Sequence, residues 1–311
     1  MILLVVCLLI LVPTVLAFKF HARAVDAENR EHLIADDDPT HGSPDTLFEP
    51  DGVEGTADDP LASEPGSAPQ NAAGAEISAD PPAYQSLYED FYAPQPFAAT
   101  NRVENTVYLT FDDGPSDRTD EVLRILDEKD VKATFFVIGQ SDPVNIERMR
   151  KIVAAGHTIG MHSYTHDYNS VYSSVEGFLD EFHRIFVQIR EETGVTPTVF
   201  RCPGGSINGY DGGFYQEIIS EMIRRGFVPY DWNVSSEDAA TNRLVPPATL
   251  VDNVVSHSKG KVRSFVLFHD SETKTTTTEA LGPAIDRLRE LGFEFAAITP
   301  DTMPILYSYT K

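Results

Sequence analysis

Two carboxylates, Asp112 and Asp113, stand side by side in this chain, and two imidazoles, His162 and His166, lie four residues apart. Oxygen and nitrogen donors of this kind suit one divalent ion; zinc is the first expectation, and cobalt or another divalent ion could use the same set. The rings of His162-Ser163-Tyr164-Thr165-His166 share a face if that segment is helical. Histidine pairs at this spacing are also frequent on ordinary surfaces, so the pair alone defines nothing. Phe111-Asp112-Asp113-Gly114-Pro115 is sharper, because adjacent carboxylates after an apolar run are a costly way to end a buried strand. Two turn-forming aspartates in solvent are the plain alternative. His157, His183 and His257 lack any such setting and read as surface or core residues.

These groups can meet only if the fold brings them together. From residue 106 onward, short apolar runs alternate with amphipathic stretches, the mark of β/α units. The pattern predicts strands at 107–111, 133–137, 158–161, 198–201, 227–232, 264–269 and 294–298. Helices are predicted at 119–129, 146–155, 175–192, 214–225, 250–257 and 278–291. A repeated strand-helix order of this length predicts a parallel barrel, with an open doubly wound sheet as the other solution. Asp112 and Asp113 follow the first strand, and His162 follows the third. Arg201 ends the fourth, Asp238 lies shortly after the fifth, and His269 closes the sixth. All are at carboxyl ends, which converge on one face of a parallel barrel.

The chain has 311 residues and a formal net charge of −24, unevenly placed. Residues 24–100 hold seventeen of its 48 acidic residues and only one base, Arg30. Between 24 and 83 the sequence is also poor in aromatic and β-branched residues and cannot bury enough apolar surface to order itself. We therefore expect a disordered acidic linker over 24–100, followed by one domain over 101–311. Tyr84, Tyr88, Phe91, Tyr92 and Phe97 form an aromatic island at its end, which either docks on the domain or touches a sugar polymer. Residues 2–18 are apolar and uncharged, so 1–23 reads as a signal peptide or a membrane anchor that exports the rest. The expected location is extracytoplasmic, secreted or held on the outer face of a membrane. An acidic chain without a basic stripe does not bind nucleic acid through its phosphates. Cys7 and Cys202 lie too far apart in character to pair, and a monomer stabilised by its core is expected.

The segments named above resemble the polysaccharide deacetylases with the NodB homology domain, the chitin and peptidoglycan deacetylase family of carbohydrate esterases. Five motifs occur in order: Thr110 to Pro115, His162 to His166, Arg201 to Ser206, Asp231 to Asp238, and Val266 to Asp270. The resemblance implies a distorted (β/α) barrel of seven strands. It implies that Asp113, His162 and His166 ligate the metal and that Asp112 is the base, oriented by Arg201. His269 then corresponds to the acid that protonates the leaving amine, and Asp238 to the carboxylate favouring its protonated form. A backbone N–H near Pro203 and Gly204 corresponds to an oxyanion donor, and Leu267 to the wall that receives the acetate methyl. The implied reaction removes N-acetyl groups from an amino-sugar polymer, with peptidoglycan GlcNAc the first choice of substrate and chitin-like chains the second. Two departures stand out: Cys202 within the arginine motif, and Ala239 where many relatives carry Trp, for which Trp232 is the candidate replacement. The competing expectations are an esterase removing O-acetyl groups from xylan or another glycan, and a non-catalytic metal-containing glycan-binding module.

Overall fold

The computed structural model describes residues 80–210, 212–241 and 243–307. The export segment, with its possible membrane attachment, and the greater part of the acidic linker lie outside the described residues. Among the described residues no helix is long and apolar enough to cross a membrane.

Strand β1 (Thr106–Asp112) is buried along its whole length and pairs in parallel with β2 (Thr134–Val137) and β7 (Arg263–His269), and at its start with β8 (Glu294–Phe295). A strand covered on both faces needs an almost continuous apolar run, which residues 107–111 provide. β3 (Thr158–Met161), β4 (Val199–Phe200) and β5 (Val228–Pro229) continue the sheet beyond β2, and β6 (Val234–Ser235) lies beyond β7. β5 and β6 are thus opposite edges, yet only residues 230–233 separate them in the chain. That bridge curls the sheet into the distorted (β/α) barrel expected, with β5 and β6 as two pieces of one strand position out of seven. The predicted strand at 227–232 is accordingly much shorter, because the chain leaves the ladder after Pro229 to cross the gap.

Helices α1 (Thr119–Glu128), α2 (Pro143–Ala154), α3 (Tyr168–Val171), α4 (Val175–Thr193), α5 (Tyr215–Arg224), α6 (Pro247–Ser258) and α7 (Thr275–Glu290) complete the chain order. α4 starts where the Ser174 hydroxyl accepts the Gly177 N–H and stops at Gly194, whose φ of 73° suits a glycine. Its Phe178, Phe182, Ile185 and Ile189 form a helical stripe in the large core between sheet and helices. A second, smaller core contains Tyr108, Phe136, Val199, Val228, Tyr230 and Phe265. Strand alternation places Tyr108, Thr110 and Asp112 on this inner face of β1, and Phe265, Leu267 and His269 on that of β7. The polar residues at the strand ends therefore form a lid of charge on an apolar column.

Residues 80–100, assigned by composition to the linker, pack on the domain instead. Phe91 is fully buried against Phe186 and Phe227, at ring distances of 5.1 and 4.7 Å. The buried Arg225 guanidinium donates to the carbonyls of Tyr84, Leu87, Tyr88 and Phe91, with Glu221 as its counter-ion. The aromatic island supplies the apolar area that the acidic stretch before it lacks, and docking is the alternative that holds.

Candidate active site

His162 extends the β3 ladder, donating its N–H to the Val137 carbonyl at 3.0 Å. Its Nδ1 lies 2.9 Å from the Arg201 carbonyl oxygen, which can only accept, so Nδ1 carries the proton and Nε2 keeps its lone pair. Burial pushes the ring's pKa down to about 3, which holds it neutral in ordinary buffers. Nε2 of His162 and Nε2 of His166 lie 3.5 and 3.2 Å from the same oxygen, Oδ1 of Asp113. The three ligand atoms fall within 4.8 Å of one another. Oδ1 of Asp113 is buried and has no hydrogen-bond partner among the described residues. A buried carboxylate oxygen without a donor is unfavourable, and a divalent cation between two imidazoles would satisfy it. The donor set fits the metal expected from the sequence.

The histidine pair is not helical, contrary to the simplest expectation. Asp113 and His166 have φ of 70° and 57°, and Ser163 between the histidines has 84°, so two of the three candidate ligands sit on left-handed loop residues while His162 continues its strand. Such conformations cost on the order of 1 kcal/mol each for residues other than glycine and persist where the surroundings impose them. Here Glu181 anchors the loop between two of them. Its buried Oε2 accepts the N–H groups of Tyr164 at 3.1 Å and Thr165 at 2.7 Å and the Thr165 hydroxyl at 2.9 Å, clasping the loop that presents His166. Glu181 was missed from the sequence, although a carboxylate amid Phe178, Phe182 and Ile185 interrupts the apolar face of α4 and was a usable signal.

Arg201 and Asp112 form an ion pair that is almost wholly buried. One guanidinium nitrogen, Nη1, donates to Asp112 Oδ1 at 2.8 Å and to the Thr110 hydroxyl at 2.7 Å. Nε and Nη2 donate to the carbonyls of Tyr230 at 3.0 Å and Asp231 at 3.1 Å. A buried pair is tolerable when its remaining donors are satisfied in this way. The other oxygen, Oδ2 of Asp112, faces His162 Nε2 at 3.7 Å. Asp112 is therefore held by one oxygen and presented to the ligand cluster by the other.

His269 is the register partner of Asp112 across β1 and β7. Its ring Nδ1 meets Asp238 Oδ1 at 2.8 Å, while Oδ2 of Asp238 accepts the His269 N–H and the Thr277 hydroxyl, each at 2.8 Å. Burial works to raise the Asp238 carboxyl, but the imidazole, the backbone N–H and the hydroxyl together bring it below its usual range. Asp238 follows β6, a strand of two residues that the sequence pattern was too short to reveal, rather than the fifth strand itself. The neighbouring Asp270 went unnoticed and behaves oppositely. It is buried, accepts the Thr119 hydroxyl at 2.6 Å, and has one oxygen without a partner among the described residues. Burial pushes its pKa up to about 8. Its side chain packs so closely on Gly114, beside Asp113, that a Cβ there would overlap it.

The remaining candidates line the same end of the barrel. Gly204 and Gly205, with φ of 72° and 88°, follow Pro203, whose carbonyl accepts the Tyr172 hydroxyl at 2.6 Å. Leu267 lies on the inner face of β7, in register with Thr110. Trp232 is half-buried with its ring 5.6 Å from the Arg201 guanidinium. Cys202 belongs to the outer apolar core, as a small core residue would.

The chain matches the family model described as polysaccharide deacetylase over residues 99–211. It is 33% identical over 209 residues to a peptidoglycan-N-acetylglucosamine deacetylase of Bacillus cereus, covering 66% of this chain and 72% of that protein. Its fold is similar to the catalytic domain of peptidoglycan N-acetylglucosamine deacetylase from Eubacterium rectale, with a TM-score of 0.64 and 32% identity over 69% of this chain and 97% of that one. It is also similar to the polysaccharide deacetylase Bc1974 from Bacillus cereus, with a TM-score of 0.56 and 30% identity over 64% of this chain and 93% of that one. Likeness of this extent, in sequence and in the barrel that carries the strand-end residues, makes this chain a member of the polysaccharide deacetylase family.

Proposed function

We propose that this protein is a metal-dependent hydrolase that removes N-acetyl groups from the GlcNAc residues of a cell-wall polymer, peptidoglycan before chitin-like chains. The observation that carries this reading is the convergence of Asp113, His162 and His166 within 4.8 Å, with the anchored Asp112 carboxylate 3.7 Å from His162. A divalent ion held there, with zinc the best match to the donors, would supply Lewis acidity toward the acetyl carbonyl and toward water.

The chain's own residues do the rest. Asp112, kept in place by Arg201, accepts the proton of the attacking water as the C–O bond forms at the acetyl carbon. A backbone N–H of the loop at Pro203 and Gly204 stabilises the negative charge that develops on the carbonyl oxygen. His269, with Asp238 stabilising its charged form, gives a proton to the nitrogen as the C–N bond breaks, releasing acetate and the free amine. Leu267 offers an apolar surface to the acetyl methyl group. An amide nitrogen is a poor leaving group without that proton, so the His269–Asp238 pair favours N-deacetylation over removal of O-acetyl groups. The activities named for the similar proteins and the apolar segment at 2–18 support action on a wall polymer outside the cytoplasm, with the protein secreted or held at the membrane. Release of acetate from muropeptides and GlcNAc oligomers by zinc-loaded protein tests the reading. Asp112→Asn should keep the zinc and lose turnover by about 10²-fold or more; undiminished acetate release by that variant would remove the base assignment.

A further inference from the structure

We infer that Asp231 is a positioning residue for the reaction: its carboxylate holds the loop after Pro203 in place while the Gly204 N–H stays free for the oxygen of the acetyl group. The inference deepens the deacetylase reading above and rests on it. Asp231 lies in the short bridge between β5 and β6 and is 1% exposed. Its Oδ1 accepts the Ser206 N–H at 2.7 Å, and its Oδ2 accepts the Ser206 hydroxyl and, at 2.7 Å, the Tyr307 N–H. Its main chain is equally committed, with the N–H donating to the Ile305 carbonyl at 2.9 Å and the carbonyl accepting Arg201 Nη2 at 3.1 Å. One buried residue therefore ties together the loop, the segment that reaches Tyr307 and the guanidinium that anchors Asp112.

Two contacts place that loop at the ligand cluster. The carbonyl of Arg201, three residues before Gly204, meets His162 Nδ1 at 2.9 Å. Tyr168, whose hydroxyl would lie 3.1 Å from a Cβ on Gly204, stands 5.5 Å ring to ring from His166. Within the loop, the Gly205 N–H donates to the Cys202 carbonyl at 2.9 Å, and the Asn208 amide donates to the Pro203 and Gly205 carbonyls at 3.3 and 3.1 Å. Of the N–H groups of Gly204, Gly205 and Ser206, that of Gly204 alone has no acceptor among the described residues. A donor fixed before negative charge develops needs no reorganisation when it does, and a loop tied on both sides of Gly204 meets that condition. A carboxylate is a costly tie in so dry a place, since burial works to raise its pKa against the pull of Ser206, Tyr307 and the Arg201 charge. An amide has one accepting oxygen and would turn its NH2 toward a donor, so only the carboxylate serves both segments.

The test measures acetate release from GlcNAc oligomers by the zinc-loaded full chain, together with inhibition by an oligomer in which a methylphosphonyl group replaces one acetyl and mimics the tetrahedral oxyanion. Asp231→Ala should lose about 10²-fold in kcat with KM and zinc content unchanged, and its affinity for the phosphonyl oligomer should fall by a similar factor. Asp231→Asn, which retains one accepting oxygen, should lie between it and the wild type in both measurements, and it carries the test if the alanine variant does not fold. Loss of zinc, or a rise in KM with kcat unchanged, would reduce Asp231 to a structural role and overturn the inference, as would wild-type kcat in every variant that folds. Absence of acetate release by the wild type would sink the deacetylase reading instead. Calorimetric binding of the phosphonyl oligomer then decides the role of the loop, with weaker binding by the variants supporting it and equal binding refuting it.

Discussion

Two imidazoles of this protein, His162 and His269, are both buried and both pinned through Nδ1, but their partners differ. His162 faces the Arg201 carbonyl at 2.9 Å, and His269 faces the Asp238 carboxylate at 2.8 Å. Desolvation outweighs the favour that the Asp113 carboxylate and the Arg201 carbonyl give to a positive charge, so His162 stays neutral with Nε2 keeping its lone pair. A carboxylate in the same place stabilises the imidazolium form and suits a group that delivers a proton. Both rings are shielded from solvent, and the partner of Nδ1 is what differs between them. The two carboxyls beside His269 follow the same rule. Asp238 receives an imidazole, an N–H and a hydroxyl and is lowered, whereas Asp270 has the Thr119 hydroxyl and is raised.

The most forceful way to break the comparison is to remove each ring in turn. His162→Ala should lose zinc, measured by elemental analysis after dialysis, and with it all acetate release. His269→Ala should retain zinc and lose about 10²- to 10⁴-fold in kcat. A zinc-free His269→Ala protein that is otherwise folded would erase the distinction between the two histidines.

A smaller effect is expected at the support of the ligand loop. Glu181→Ala frees the N–H groups of Tyr164 and Thr165 that hold the approach to His166, and zinc affinity should fall by about 10- to 100-fold, as for other groups that orient metal ligands. Glu181→Gln keeps an acceptor oxygen and should lie between the alanine variant and wild type in a competition titration with a chelator. Identical zinc affinity in all three proteins would reduce Glu181 to a packing residue.

The mildest effect concerns pH. The Asp270 carboxyl moves from the ordinary 3.8 to about 8 on folding, so between these values the native chain holds a proton that the unfolded chain has released. Its contribution is complete below the unfolded pKa and is lost as the pH rises through about 8. Asp270→Asn, which stays neutral, should flatten the fall of the urea midpoint over that interval. Parallel losses in wild type and variant would mean that Asp270 is ionised in the folded protein, against the contrast with Asp238.

Much of the barrel was legible because short apolar runs alternate with amphipathic helices. The predicted strand at 158–161 coincides with β3, and the predicted helix at 175–192 ends one residue short of α4. What escaped notice was short or non-local. β6 and α3 have two and four residues, too few for any period to declare itself. The strap ending at residue 100 was grouped with the linker by composition, and it is tied to the domain by burial of Phe91 and by the capture of its carbonyls by Arg225, more than 130 positions later in the chain.

Residue type and position relative to the strand ends were enough to nominate Asp112, Asp113, His162, His166, Arg201, Asp238 and His269, because carboxyl ends of parallel strands converge whatever the details of packing. The protonation states and the supports of those residues were decided by tertiary structure alone. They depend on which carbonyl meets His162, on Glu181 reaching back to the histidine loop, and on how thoroughly Asp270 is screened from water. Burial and hydrogen-bond partnership arise between segments distant in the chain, and no local pattern of residues encodes them.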